Sequence, residues 1–260
     1  MEKLARLYEK YDIYNLPDGV VGDKLGDVYE DYVVEMFQDP TYIGRGKSET
    51  FNQVEDEIVK IILGKEEIPL NQISRIEGTT DIPARSSGGN AKTDVLLKVY
   101  LVSGQMIQIP MSVKQTTAPK VAFAEYDVQT IAREVGITDA RLIFLMEKHQ
   151  RDASARNFTT SEKQELRQLL RPYKRKFLRW IVTMSTMEDR SDIRIPRYVI
   201  KFQLEKGTYR PSGRGVFDID EYITFISTNK NGTESRGGFG TGLSWTYATG
   251  SKGYKIQFKG

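Results

Sequence analysis

The sequence predicts an α/β protein: a central mixed β-sheet flanked by helices, with a further β-containing region at the C-terminus. Three observations carry this reading. Two β-branched-rich segments, 93–102 and 106–114, flank Ser103-Gly104-Gln105 as the arms of a hairpin do. Apolar residues recur at helical spacing in several other stretches. Near the end, Trp245-Thr246-Tyr247 and residues 254–258 alternate like two short strands joined around 250–253.

In chain order, Asp23 is placed to cap a helix running to Phe37, with Leu25, Val28, Tyr32 and Phe37 as its apolar stripe. Residues 50–63 read as a second helix ending at Gly64, and 72–78 as a strand entering a loop over 79–90. The segment 85–93 has the glycines and the Lys-Thr of a phosphate loop. Ala91 stands where that motif needs glycine, however, and a strand follows instead of a helix, so it is read as a loop delivering Asp94. Beyond the hairpin, 115–123 is a loop carrying Lys120, and 124–135 an amphipathic helix stopped by Gly136. A helix containing Leu142, Leu145 and Met146 precedes His149, which is expected to pack or cap. Ser161-Glu-Lys-Gln164 has the form of a capping box, 167–179 reads as two helices broken at Pro172, and 195–205 and 215–226 read as strands. With no internal repeat, low-complexity tract or long linker, one domain over 1–260 is expected, with possible subdomains 1–190 and 191–260.

The hairpin concentrates chemistry. With the turn centred on Gly104, paired positions sum to 208 and Asp94 falls opposite Lys114, Cβ atoms roughly 5 Å apart. Ser112 and Lys114 share one face, while Ile107, Ile109, Met111 and Val113 form the apolar face. An acid, a hydroxyl and an ammonium so placed suit Mg-dependent phosphodiester hydrolysis. Asp94, the Val113 carbonyl and a substrate phosphate oxygen can share a hydrated Mg²⁺, and Lys114 can orient water or stabilise the charge of the transition state. An ordinary cross-strand ion pair on a solvated face accounts for the same spacing, and spacing alone favours that plainer account.

Composition narrows the classes. The chain has 260 residues, enough for a sizeable core, and no cysteine, so disulfides and thiolate zinc sites are excluded. One histidine argues against a His-based metal site or a Ser-His-Asp triad. The first ten residues are charged and amphipathic and no apolar run reaches spanning length, so no membrane association and a cytoplasmic location are expected. Net charge is only +3, and its distribution says more than its sum. One basic stretch covers 167–179, where a solvated helical face is the slightly better account. The other covers 230–259, where Lys230, Arg236, Lys252, Lys255 and Lys259 are opposed only by Glu234. A Gly-rich basic segment of this kind suits phosphate-backbone contact, or equally a protected terminal hairpin.

A resemblance moves this balance. Leu25-Gly-Asp-Val-Tyr-Glu30, Lys92-Thr-Asp94, Ala124-Glu-Tyr-Asp-Val128, Lys148-His-Gln150, Pro172-Tyr173, Arg179-Trp180, Phe239-Gly-Thr-Gly-Leu-Ser-Trp-Thr-Tyr-Ala248, Gly250-Ser-Lys252 and Gln257-Phe-Lys-Gly260 run collinearly along the chain. In this the sequence resembles the MspI-like type II restriction endonucleases of the PD-(D/E)xK nuclease superfamily. The resemblance implies a restriction-endonuclease-like fold with a C-terminal DNA-reading region, a double-stranded DNA partner and Mg²⁺ as cofactor. It also implies cleavage of CCGG after the first cytosine to leave 5′ overhangs. Another four-base target such as GCGC, or a non-catalytic DNA-binding protein on a decayed nuclease fold, are the alternatives.

Carried over by position, the resemblance makes Asp94 the metal-binding aspartate and Lys114 the catalytic lysine, and it makes Glu30 a candidate outer or second-metal ligand, although a surface glutamate remains the plainer account. Ser112 departs from the superfamily's acid and is a poorer ligand, acting if at all through a metal-bound water. Thr246, Thr249, Ser251, Lys252 and Lys259 become candidate DNA contacts, Lys259 foremost because a donor matches guanine O6 and N7. Lys92 and Lys120 are candidates for the DNA backbone. Ala122 stands where the family has a DNA-contacting serine. A cognate methyltransferase in the same system, without direct binding, is expected. Palindromic targets favour a homodimer and the family allows a monomer, so both stay open.

Overall fold

The computed structural model describes residues 2–40, 54–85 and 91–260. Its contacts divide the chain into two compact units, Met1–Ala118 with Asp189–Asp218, and Pro119–Glu188 with Ile219–Gly260. The chain passes between the units at three points, after Ala118, after Glu188 and after Asp218.

The first unit holds a five-stranded sheet in the order β1-β2-β3-β5-β6, built from β1 Ile73–Thr79, β2 Val95–Leu101, β3 Met106–Thr116, β5 Tyr198–Leu204 and β6 Pro211–Asp218. Among the described residues only β3 and β5 pair in parallel, so the sheet is mixed, as expected. Helices α1 Glu2–Lys10, α2 Asp18–Gln38 and α3 Val54–Lys65 belong to this unit. Its core joins Val28, Tyr29 and Met36 of α2 and Ile58 and Ile62 of α3 to Val95, Leu97, Ile109, Met111 and Ile200 of the strands. Helix α2 starts at Asp18, not Asp23, because Pro17, with φ −61° and ψ 144°, ends an extended stretch directly before it. Asp23 is therefore interior to the helix. A side chain at Gly78 would put its Cβ 3.3 Å from the Val34 Cα and 3.0 Å from Val34 Cγ1, so glycine lets α2 press closely onto β1. Of the helix expected over 50–63, residues 50–53 lie outside the described residues, as do 86–90 of the loop after β1. The rest of that helix runs through Gly64 to Lys65.

The second unit holds a three-stranded antiparallel sheet, β4 Ala122–Tyr126, β8 Ile256–Lys259 and β7 Ser244–Thr246, with β8 central. Around it lie α4 Val128–Val135, α5 Ala140–Asp152, α6 Thr160–Leu170, α7 Lys174–Thr183 and α8 Ile219–Ser227. Residues 124–126, expected to open a helix, are strand. The helix begins only after Asp127, whose side chain accepts from the Thr130 N–H, and ends as expected at Gly136 in the left-handed region. The capping box is Thr159 with Glu162, two residues ahead of the expected Ser161. The segment 215–226 divides into the end of β6 and α8 instead of forming one strand. The chain does break between α6 and α7, in a 3-10 turn at Arg171–Tyr173. The terminal hairpin forms, but it is no loose tail: Ile256 and Phe258 are fully buried. Among the described residues no helix is long and apolar enough to cross a membrane.

His149 lies within α5, not after it, and is 2% exposed among Phe158, Phe239 and Trp245. Burial holds its pKa down at about 4, against the weaker pull of Asp152. The unfolded chain thus binds this proton first. Stability from this residue is intact above pH 6.5 and falls as pH drops towards 4, by on the order of 3 kcal/mol. Urea unfolding of wild type and His149→Gln across pH 4–7 checks this: the difference between them should narrow on acidification. The difference is needed because Glu30, with its raised pKa, contributes the opposite slope.

Candidate active site and nucleic-acid interface

The β2–β3 hairpin pairs Val95 with Met111 and Leu97 with Ile109, so paired positions sum to 206 and not 208. The turn is Val102-Ser103-Gly104, closed by Leu101 N–H to Gln105 O at 2.8 Å. Gly104, with φ +87°, occupies its last position instead of its centre. Asp94 therefore lies opposite Ser112, with Lys114 diagonal to it. A shift of two residues preserves the side-chain parity, and the three polar groups still converge. Asp94 Oδ2 accepts from Ser112 Oγ, the Val113 N–H and Lys114 Nζ, each at 2.8 Å. The opposite face of β3, with Ile109, Met111 and Val113, is buried in the core.

These bonds specify the chemistry available. Ser112 is 1% exposed and spends its proton on Asp94, so its placement suits holding the carboxylate. Because the N–H and C=O of a strand residue point to the same edge, the Val113 carbonyl faces the Asp94 side, beyond the last β2–β3 pair. Glu30 reaches the same region from α2, which packs on β3 and is tied to it by Gln115 Nε2 donating to Gly22 O at 3.1 Å. Burial first, and then the Asp94 charge, push the Glu30 pKa up to about 7, with Lys114 opposing. Lys92 lies within the same field: burial and the Lys114 charge bring its pKa down to about 8, while Asp94 opposes.

The residues fit a hard divalent cation. Asp94 Oδ1 accepts no hydrogen bond among the described residues, and burial and the Asp94 charge make the second carboxylate, Glu30, resist ionisation in spite of Lys114, a resistance that a bound cation would relieve. No cluster of three or more acidic, His or Cys side chains occurs among the described residues, so a bound ion would keep several waters, as Mg²⁺ does.

The candidate DNA contacts other than Lys92 lie in the second unit. Thr246 pairs with Gln257, and Lys259 lies between Ser244 and Ala122. With Phe258 and Trp245 turned to the aromatic core, Ser244, Thr246, Gln257 and Lys259 share the opposite, polar face. Thr249 and Lys252 are exposed in the connecting turn, Lys252 Nζ 5.7 Å from the Tyr247 ring centroid. Ser251 is already engaged, donating to Glu125 of β4 and, at 3.1 Å, to Ala248 O. Lys120 Nζ donates to Gly242 O and Ser244 Oγ, both at 3.0 Å. Gln257, Ser244 and Glu125 were not among the sequence-derived candidates. Gln257 is in phase with Lys259 and was legible from alternation, whereas Glu125 was hidden by reading β4 as helix. Within its own unit the basic stretch 167–179 is only partly offset: Lys174 pairs with Glu234 at 2.6 Å, and Arg175 and Arg179 share Asp220 at 2.9 and 2.6 Å, two carboxylates against the several cations of the stretch.

Fold and comparison together define the class as type II restriction endonuclease, a site-specific DNA-cutting enzyme. The chain belongs to the MspI restriction endonuclease family, whose model, Restriction endonuclease MspI, matches residues 6–260. It is 37% identical over 264 residues to the type II restriction enzyme MspI of Moraxella sp, covering 100% of this chain and 99% of that protein. Type II restriction enzyme BsuFI of Bacillus subtilis is 22% identical over 257 residues, covering 95% of this chain and 61% of that protein. The crystal structure of restriction endonuclease MspI in complex with its cognate DNA superposes with a TM-score of 0.87 at 36% identity, over 100% of this chain and 99% of that one.

Proposed function

We propose that this endonuclease binds duplex DNA and cuts both strands at CCGG, after the first cytosine, leaving 5′ overhangs and 5′-phosphates. The observation that carries the catalytic assignment is the Asp94 carboxylate held through one oxygen by Ser112, Val113 and Lys114, with its other oxygen open. Asp94, the Val113 carbonyl and Glu30 would hold Mg²⁺, which when bound supplies positive charge against the scissile phosphate and acidifies water. Lys114 positions an ammonium where phosphate charge grows, and Ser112 fixes the carboxylate that anchors it. Lys92, in the field of Asp94 and Lys114, would contact the DNA backbone near that site. On the second unit, Lys259 offers a donor to guanine O6 and N7, with Gln257 and Thr246 beside it. Thr249 and Lys252 reach out from the turn, Lys120 contacts the DNA backbone, and Ser251, whose proton is engaged by Glu125, would join as an acceptor or by giving up that bond.

The enzyme works in the cytoplasm, as a monomer or homodimer, and a cognate methyltransferase protects the host sites without binding it. Digestion of a sequenced plasmid with purified protein and Mg²⁺, followed by sequencing of the ends, tests the target. Discrete ends at CCGG are expected. Ends at GCGC or another tetranucleotide would overturn the target alone, and binding without any cutting would favour the decayed-site alternative raised by Ser112.

A further inference from the structure

The second unit contains a cavity of 620 Å³ that the catalytic and base-reading assignments leave unused. Four cations line it, Lys120, Lys163, Arg167 and Arg236, and no carboxylate does. Lys163 and Arg236 are exposed and form no ion pair among the described residues, and Lys120 is bound only to uncharged oxygens. Only Arg167 has a carboxylate in reach, Glu234 at 3.5 Å. One wall is aromatic and tightly packed, with Phe239, Trp245 and His149 in edge-to-face contact at 5.0 to 5.7 Å. His149 is almost wholly buried there, and its Nδ1 has no hydrogen-bond partner. An unneutralised cluster of long cations against a rigid apolar wall is suited to a phosphate ester: the cations take the phosphate and the wall takes the sugar.

We propose that this cavity is a phosphate-binding site for the backbone of the DNA duplex outside the recognised tetranucleotide. It rests on the proposed DNA-binding reading. Continuity supports that source: Lys120, on the cavity wall, donates to Ser244, and Ser244 pairs directly with Lys259 on the polar strand face. A duplex lying on that face can extend its backbone into the cavity, which lengthens the footprint without reading sequence.

The test compares wild type with the double variant Lys163→Ala, Arg236→Ala, both sites exposed and unpaired. Binding to a long duplex containing the target is measured across salt concentrations in Ca²⁺, alongside a second duplex lacking the target. The variant should bind both about tenfold more weakly, with the slope of log affinity against log salt lower by about two, since each phosphate contact contributes roughly one. An unchanged slope and affinity in a variant whose wild type binds and cuts the target would overturn the cavity assignment. Failure of wild type to bind either duplex would instead overturn the DNA-binding reading itself. Inorganic phosphate, followed by tryptophan fluorescence, separates the sources. Saturable binding lost in the variant, with an unchanged DNA salt slope, would reassign the cavity to a free phosphate ligand and overturn the proposal.

Discussion

Asp94→Asn should leave duplex binding within a fewfold of wild type and abolish cutting. Asparagine keeps an acceptor for Ser112 Oγ, the Val113 N–H and Lys114 Nζ, the three donors now within 2.8 Å of Asp94 Oδ2, so the local backbone is retained. What it loses is the charge that anchors a cation. Cation anchoring of phosphate charge is worth several kcal/mol; about 5 kcal/mol corresponds to roughly a 10⁴-fold loss of rate. Alanine is the poorer test, because it also strands the buried Ser112 hydroxyl at a cost of about 1–3 kcal/mol. Single-turnover cleavage of a target duplex, beside a binding titration in Ca²⁺, measures both effects. Cutting by Asp94→Asn at wild-type rate would remove Asp94 from the catalytic assignment, whereas loss of binding with loss of cutting would make its role structural.

The hairpin was legible because it is local. Its two β-branched arms and the intervening glycine lie within about twenty residues, and strand parity alone puts Asp94, Ser112 and Lys114 on one face. The turn centre was not legible. A glycine serves equally at the middle of a turn or at the left-handed position that closes it, and the choice moves the register by two. Where secondary structure was misread, distant partners decided it. Ala122–Tyr126 contains good helix formers, yet it pairs with Ile256–Lys259 at the far end of the chain. Ile219–Ser227 carries β-favouring Ile, Tyr, Thr and Phe, yet it forms a helix whose Ile219, Tyr222, Ile223 and Ile226 are buried at helical spacing. Charge was the least legible property. The lone acid of the tail, Glu234, is taken up by Lys174 of the basic stretch 167–179, so the tail keeps its own cations unopposed by it, which no linear count reveals.

The same electrostatic coupling makes Lys114→Ala informative beyond its rate. Loss of one preorganised positive group at developing phosphate charge is expected to lower the cleavage rate by about 10²–10³-fold with little effect on binding, and added Mg²⁺ should not restore it. Lys114 also lowers the pKa of Glu30, which burial and Asp94 have pushed up to about 7. Removing the ammonium should therefore raise Glu30 further. If ionised Glu30 supports cation binding, the acidic limb of the pH–rate profile moves to higher pH in the variant. Lys92, relieved of a like charge that helps to hold it at about 8, should also move up. Both shifts have the same sign because the removed charge is common to them. A Lys114→Ala enzyme whose residual rate keeps the wild-type pH profile would separate Glu30 from the reaction. A Lys114→Ala enzyme cutting at full rate would return the pair to an ordinary cross-strand ion bridge, the account that spacing alone preferred.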